Sequence, residues 1–144
     1  MQIPNRLRGW AFPVILLTCA GALGALHAPR PGGDINWLGS YRDGVRLASA
    51  MHRPMLLSFD EQGTSDCSRM DAETYVDPKS VNLLRDVICV RIERGVASLA
   101  DHRFAVHSWP FTVIIGAHGN IVWQKSGYIS PVVLQSVLSA SLQR

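Results

Sequence analysis

A chain of 144 residues, 47% apolar and 17% charged, supports one domain with its own core and leaves no room for two comfortable ones. Two of its 14 basic residues, Arg6 and Arg8, and none of its 11 acidic ones fall in residues 1–28, so the remainder is within one charge of neutral. No Lys/Arg cluster remains there to hold nucleic acid, and nucleic-acid binding is excluded as a reading.

The first element is the uncharged run from Trp10 to Leu26, preceded by Arg6 and Arg8 and filled in its second half by Ala20, Gly21, Ala22, Gly24 and Ala25. A basic start, an apolar middle and a small-residue end are the parts of a secretory signal. As a helix the run would reach about 26 Å, close to a hydrocarbon core of about 30 Å. Residues 1–28 therefore read either as a cleaved signal peptide, with Ala20-Gly21-Ala22 as a usable cleavage site, or as a membrane anchor that tethers the chain through residues 10–26. Either reading sends the rest of the chain to the periplasm or cell envelope, because Arg6 and Arg8 favour the cytoplasmic side. Residues 29–36, beginning "PRPGG", read as a linker, and residues 37–144 as the folded domain.

Within the domain, Leu38, Tyr41, Val45, Ala48 and Met51 follow a helical spacing, which predicts a helix over 35–51 with Pro54 as its stop. "PMLLSF" (54–59) reads as a buried strand and residues 60–66 as a polar loop. A helix follows from about Thr64 to Tyr75, ended by "VDP", since Pro78 disfavours helix in the residue before it. Val81–Leu84 gives a helical turn, Val87–Ile92 a second strand and Val96–Phe104 a weak helix. "FTVIIG" and "NIVWQK" are strands around Ala117-His118-Gly119, a hairpin signal. Pro131 opens a last amphipathic helix through Val133, Leu134, Val137, Leu138 and Leu142. The order α-β-α-β-α-β-β-α joins the first two strands by helical crossovers and the last two by a hairpin, so the sheet is mixed.

Three stretches carry a resemblance. "CSRMDAETYVDPKSV" has an apolar residue three after the cysteine (Met70), a Thr-aromatic pair (Thr74-Tyr75) and a D-P break (Asp77-Pro78). "VHSWPFTVII" places a proline directly before a strand, and "GNIVWQKSGYIS" is a hairpin followed by Gly-Tyr. Together, from Trp37 to Leu142, they resemble the thioredoxin-like family typified by the C-terminal periplasmic domain of the membrane thiol:disulfide interchange reductase. The resemblance implies an α/β thioredoxin fold, a mixed four-stranded central sheet flanked by helices, with Pro110 as its cis-proline. In that register Cys67 falls on the second cysteine of C-x-x-C and Thr64 on the first, the nucleophile. Gly63 takes the usual Trp position, and Ser58 the place of a buried acid that serves the second cysteine.

A C-x-x-C cycle needs an exposed thiolate to attack and a second thiol to release the mixed disulfide. Thr64 cannot attack without a base beside it, so ordinary dithiol turnover is disfavoured. Cys67 alone can still form a mixed disulfide with glutathione or a protein. Its place in a first helical turn would lower its pKa through the helix dipole, with Asp66 acting the other way. The plainer alternative makes Thr64 a helix N-cap accepting a backbone N–H, and Cys67 a small packing residue. A third reading takes T-x-x-C as the peroxidatic arrangement of peroxiredoxins, although residues 57–63 hold no proline of the kind that motif places upstream. Cys19 lies in the N-terminal segment, and Cys89, inside "VICVRIE", reads as a buried, inert hydrophobe.

Trp109 and Pro110 are the candidate substrate-binding residues: in the family the backbone before the cis-proline pairs with an extended peptide, and Trp109 suits a protein partner. The alternative is a core Trp beside a rigid turn. His102, His107 and His118 show no metal-ligand spacing, and neither a metal nor a cofactor is expected. Arg91 and Arg94, flanking Glu93, read as a solvated strand end. The reading is an exported thioredoxin-like protein engaged in single-cysteine exchange or mixed-disulfide handling, with protein or glutathione thiols and disulfides as partners. A redox-inactive peptide-binding module is the alternative from another class.

Overall fold

The computed structural model of the chain describes residues 35–95 and 103–143. The signal or anchor expected at 10–26, most of the linker and most of the weak helix at 96–104 lie outside the described residues. Among those described, no helix is long and apolar enough to cross a membrane.

The elements are β1 (Trp37–Leu38), α1 (Tyr41–Met51), β2 (Met55–Asp60), α2 (Ser65–Arg69), a π-helical turn (Met70–Thr74), α3 (Pro78–Leu84), β3 (Ile88–Glu93), β4 (Phe111–Ile115), β5 (Ile121–Ser126) and α4 (Pro131–Leu142). The sheet has five strands, in the order β1-β3-β2-β4-β5, rather than the four expected. The fifth is β1. Leu38 matches the helical spacing of α1, but it lies beside Val90 in a parallel pairing, with Trp37 beside Cys89. The helix begins only after Ser40, whose side chain accepts the Asp43 N–H at 3.3 Å. Periodicity could not separate a two-residue edge strand from a helix start.

β2 runs parallel to β3 and antiparallel to β4, and β4 pairs antiparallel with β5. Every residue of β2 from Met55 to Phe59 is buried, so the strand reads as a continuous apolar run rather than an alternation. Met55, Leu57 and Phe59 face one core with Val90, Ile92, Val113 and Phe104. Leu56 faces the other with Met70, Tyr75, Cys89, Ile114, Leu134 and Leu138. α1 packs on the first face through Gly44, its one buried residue. A Cβ there would sit 2.3 Å from Val90 Cγ2 and 3.0 Å from Met55 Sδ, so only glycine allows the approach.

The helix expected over 64–75 is present in two pieces, α2 and the π-helical turn. α3 is longer than the turn expected at Val81–Leu84. It starts at Pro78, with the Asp77 carboxylate accepting the N–H groups of Lys79 (3.0 Å) and Ser80 (2.9 Å). Residues 127–129 are clipped onto the α2 side. Thr74 Oγ1 donates to the Ile129 carbonyl at 2.5 Å, the Ile129 N–H reaches Met70 Sδ at 3.3 Å, and the Tyr128 hydroxyl donates to Glu73 at 2.6 Å. This explains the Gly-Tyr after the hairpin: Gly127 turns with φ 79°, and Ile129 is fully buried behind it.

Candidate functional site around Cys67

β2 carries the chain to Asp60, and a loop with Gly63 at φ 85° turns it into α2. Thr64 precedes the helix with extended backbone (φ −81°, ψ 142°), yet its hydroxyl caps nothing. It donates instead to the Glu61 carbonyl at 3.1 Å, so the expected N-cap role is replaced by closure of the 61–64 turn. Cys67 is 7% exposed, and its Sγ accepts the Glu61 N–H at 3.4 Å. Burial pushes the Cys67 thiol up; the Glu61 N–H pulls it back, and the carboxylates of Asp60 and Asp71 add to the rise. The helix start was expected to lower it. Burial of the sulfur outweighs the helix start.

The thiol stands at a cleft of about 270 Å³ whose wall also includes Asp60, Glu61, Asp71, Arg91 and Glu93. Beneath it runs a polar network. The Tyr75 hydroxyl donates to Ser58 Oγ at 3.0 Å, and Ser58 Oγ donates to Asp60 at 3.0 Å. Arg91 bridges Asp60 at 2.9 Å and Asp71 at 2.7 Å, lying 4.3 Å over the Trp37 ring. Arg91 is 10% exposed, so the solvated strand end expected there is wrong for this residue. Ser58 is buried where an acid was expected to be missing, but an acid does reach the site from two residues further along β2. Burial raises the Asp60 carboxyl above its usual range against the opposing pull of Arg91. A signal for this was present in period 2: Ser58 lies opposite Arg91 and Asp60 opposite Glu93, on the face that Leu56 and Cys89 share.

Pro110 is buried and follows a cis peptide bond from Trp109, which is partly buried against the first core. The Pro110 carbonyl accepts the Gly127 N–H at 2.7 Å, and a Cβ on Gly127 would lie 3.8 Å from the Asp66 carboxylate. From the other side, Arg94 lies 4.5 Å over the Trp109 ring and pairs with Glu61, whose own N–H is on Cys67. Thr64, Cys67, Trp109 and Pro110 are thus brought to one end of the sheet. Sequence reasoning passed over Glu61, Asp60 and Asp71. Cys89 is 3% exposed, with its thiol pushed up to about 12 by burial. His107 and His118 are exposed, and His102 lies outside the described residues. Among the described residues, no three His, Cys, Asp or Glu side chains gather to hold a metal ion.

The folded part superposes on a thioredoxin from Thermus thermophilus with a TM-score of 0.65 at 18% identity, covering 74% of this chain and 85% of that one. The chain has the thioredoxin fold. A thioredoxin-like protein (Trxlp) from Edwardsiella tarda gives 0.59 at 20% identity, over 72% of this chain and 98% of that one. A DsbH oxidoreductase gives 0.59 at 16% identity, over 81% and 91%. No protein-family model matches the sequence, and no curated protein matches it either. At these identities the likeness establishes the fold. In this thioredoxin fold, Cys67 is the cysteine on the helix that follows β2, and Thr64 stands three residues before it.

Proposed function

We propose that the protein takes part in single-cysteine thiol–disulfide exchange, or holds mixed disulfides, at Cys67. The observation that carries this is the placement of Cys67 in the wall of a cleft, with the Glu61 N–H on its sulfur and Trp109 linked to Glu61 through Arg94. A thiolate at Cys67 attacks one sulfur of a partner disulfide. The new S–S bond forms as the old one breaks, and the leaving sulfur departs as thiolate and takes up a proton from water. With threonine at 64 no second thiol in the motif expels the partner, so an external thiol completes the exchange. Partners are protein or glutathione disulfides. A peptide segment would lie along the backbone before Pro110, with Trp109 as the aromatic contact. We further propose that residues 1–28 act as a signal or anchor that places the domain in the cell envelope; fusing them to a reporter should export it, and a cytosolic reporter would remove that assignment.

A second reading is favoured by the raised thiol: a redox-inactive module that binds peptides on the Pro110 face. The peroxidatic T-x-x-C reading gains nothing from Thr64, whose hydroxyl donates to the Glu61 carbonyl. One experiment separates the first two. The protein is incubated with glutathione disulfide, and with a cysteine-containing peptide disulfide, beside a Cys67→Ser control. Mass spectrometry should find the adduct on the Cys67 peptide. Absence of adduct in the wild type, with peptide binding retained, would transfer the assignment to the binding module.

A further inference from the structure

Arg94 joins the two loops that make the site. Its backbone N–H donates to the Asp60 carbonyl at 2.8 Å, fixing it at the end of β2. Its guanidinium pairs with the Glu61 carboxylate on one side and lies 4.5 Å over the Trp109 ring on the other. Glu61 in turn accepts from both the Thr64 hydroxyl (3.1 Å) and the Thr64 N–H (3.4 Å) through its carbonyl, while its own N–H points at Cys67 Sγ from 3.4 Å. The side chain that Arg94 grips therefore belongs to the residue whose backbone touches the sulfur. We propose that Arg94 is a positioning residue: anchored by its stack on Trp109, it holds the Glu61 N–H on the Cys67 sulfur through its ion pair with the Glu61 carboxylate.

This rests on the exchange reading for its purpose, but not for its physics. An N–H aimed at sulfur stabilises the thiolate more than the thiol, and it does so only while the turn that carries it is held in place. A free 61–64 loop would lose that orientation. Pairing with a carboxylate and stacking on an aromatic ring are both suited to arginine, whereas lysine keeps the first better than the second. The other charged groups facing Cys67 are Asp60 from β2, Asp66 from its own helix, Asp71 from the π-helical turn, and Arg91 and Glu93 from β3. None of them makes the contact to the sulfur that Glu61 makes.

The test follows the β-carbon chemical shift of Cys67 against pH in isotope-labelled full-length protein, for wild type, Arg94→Ala, Glu61→Ala and Arg94→Lys. This reads ionisation whether or not the thiol exchanges. Positioning predicts that Arg94→Ala and Glu61→Ala both raise the midpoint, lowering the thiolate fraction at neutral pH about three- to tenfold. Arg94→Lys should stay near wild type. Glu61→Ala decides the matter, because removing an anion by simple electrostatics would lower the midpoint instead. A lowered midpoint in Glu61→Ala, or an unmoved one in Arg94→Ala, overturns the inference. The Arg94 and Glu61 side chains are 55% and 30% exposed, so all three variants should fold, and thermal melts would show it. Glutathione-disulfide adduct formation is measured on the same wild-type sample. Its absence alongside the predicted shifts would sink the exchange reading and leave the positioning role standing.

Discussion

Replacing Arg91 by methionine should be the most damaging single change near the site. The substitution keeps most of the apolar stem over Trp37 but removes the charge that bridges Asp60 and Asp71. Those carboxylates are 14% and 22% exposed, so neither can recover full hydration. Breaking a buried pair by removing one partner costs about 3–5 kcal/mol, against a total stability of about 5–15 kcal/mol for a domain. At about 4–8 °C per kcal/mol for a domain of this size, the melting temperature should fall by more than about 12 °C. The pH dependence has a definite sign. Burial already holds the Asp60 carboxyl above its unfolded range, so its ionised form costs stability at neutral pH, and that cost is relieved as pH falls through the folded value. Without Arg91 the rise is larger. The gap between wild type and Arg91→Met should therefore narrow on going from about pH 7 to about pH 5, measured by urea unfolding at each pH. Adding Asp60→Asn and Asp71→Asn to Arg91→Met should restore much of the loss. A variant within about 1 kcal/mol of wild type at neutral pH would refute the account, as would a gap that widens on acidification.

Gly44→Ala should destabilise the domain by about 1–3 kcal/mol in urea melts despite alanine's better helix propensity, because its Cβ would meet Val90 at 2.3 Å. Iodoacetamide should alkylate Cys67 more slowly at neutral pH than it does a free cysteine, with a midpoint above the ordinary thiol value, since burial raises it; a midpoint below that value would contradict the site electrostatics. Asp77→Ala should lower the melting temperature and flatten its fall on the acid side. The Asp77 carboxyl is held low by the Ser80 and Lys79 N–H groups, so its stabilisation is present above the unfolded pKa and lost as pH drops through the folded one. Thr64→Cys should raise insulin reduction well above wild type by supplying the missing nucleophile, and a wild type already active in that assay would show that Cys67 has been placed in the wrong half of the motif.

Much of this fold was legible along the chain. The β-type runs at Met55–Asp60, Ile88–Glu93, Phe111–Ile115 and Ile121–Ser126, the Asp77-Pro78 boundary and the Pro131 helix start are local signals, set by propensity and by the missing proline N–H. They are why the element order, and with it the mixed sheet, could be read from the chain alone. Thr64 and Cys67 on one side and Trp109 and Pro110 on the other, 42 or more residues apart in the chain, lie at one end of the sheet.

The rest needed pairing partners. Trp37-Leu38 became a strand because β3 offered an open edge beside it, and two residues carry no period of their own. Arg91 looked like an exposed strand end because nothing nearby in sequence neutralises it; its carboxylates lie 31 and 20 positions away and reach it only once β2 pairs with β3 and the π-helical turn folds over them. The acidity of Cys67 was misread for the same kind of reason. Position at a helix start is a local property, whereas burial and the fields of Asp60 and Asp71 are sums over neighbours that only the folded chain assembles. Sequence determined which residues could carry the chemistry, through their types and spacing; tertiary structure decided which way their proton affinities shift, because electrostatic environment in a folded protein is set by distance through space and exclusion of water, not by distance along the chain.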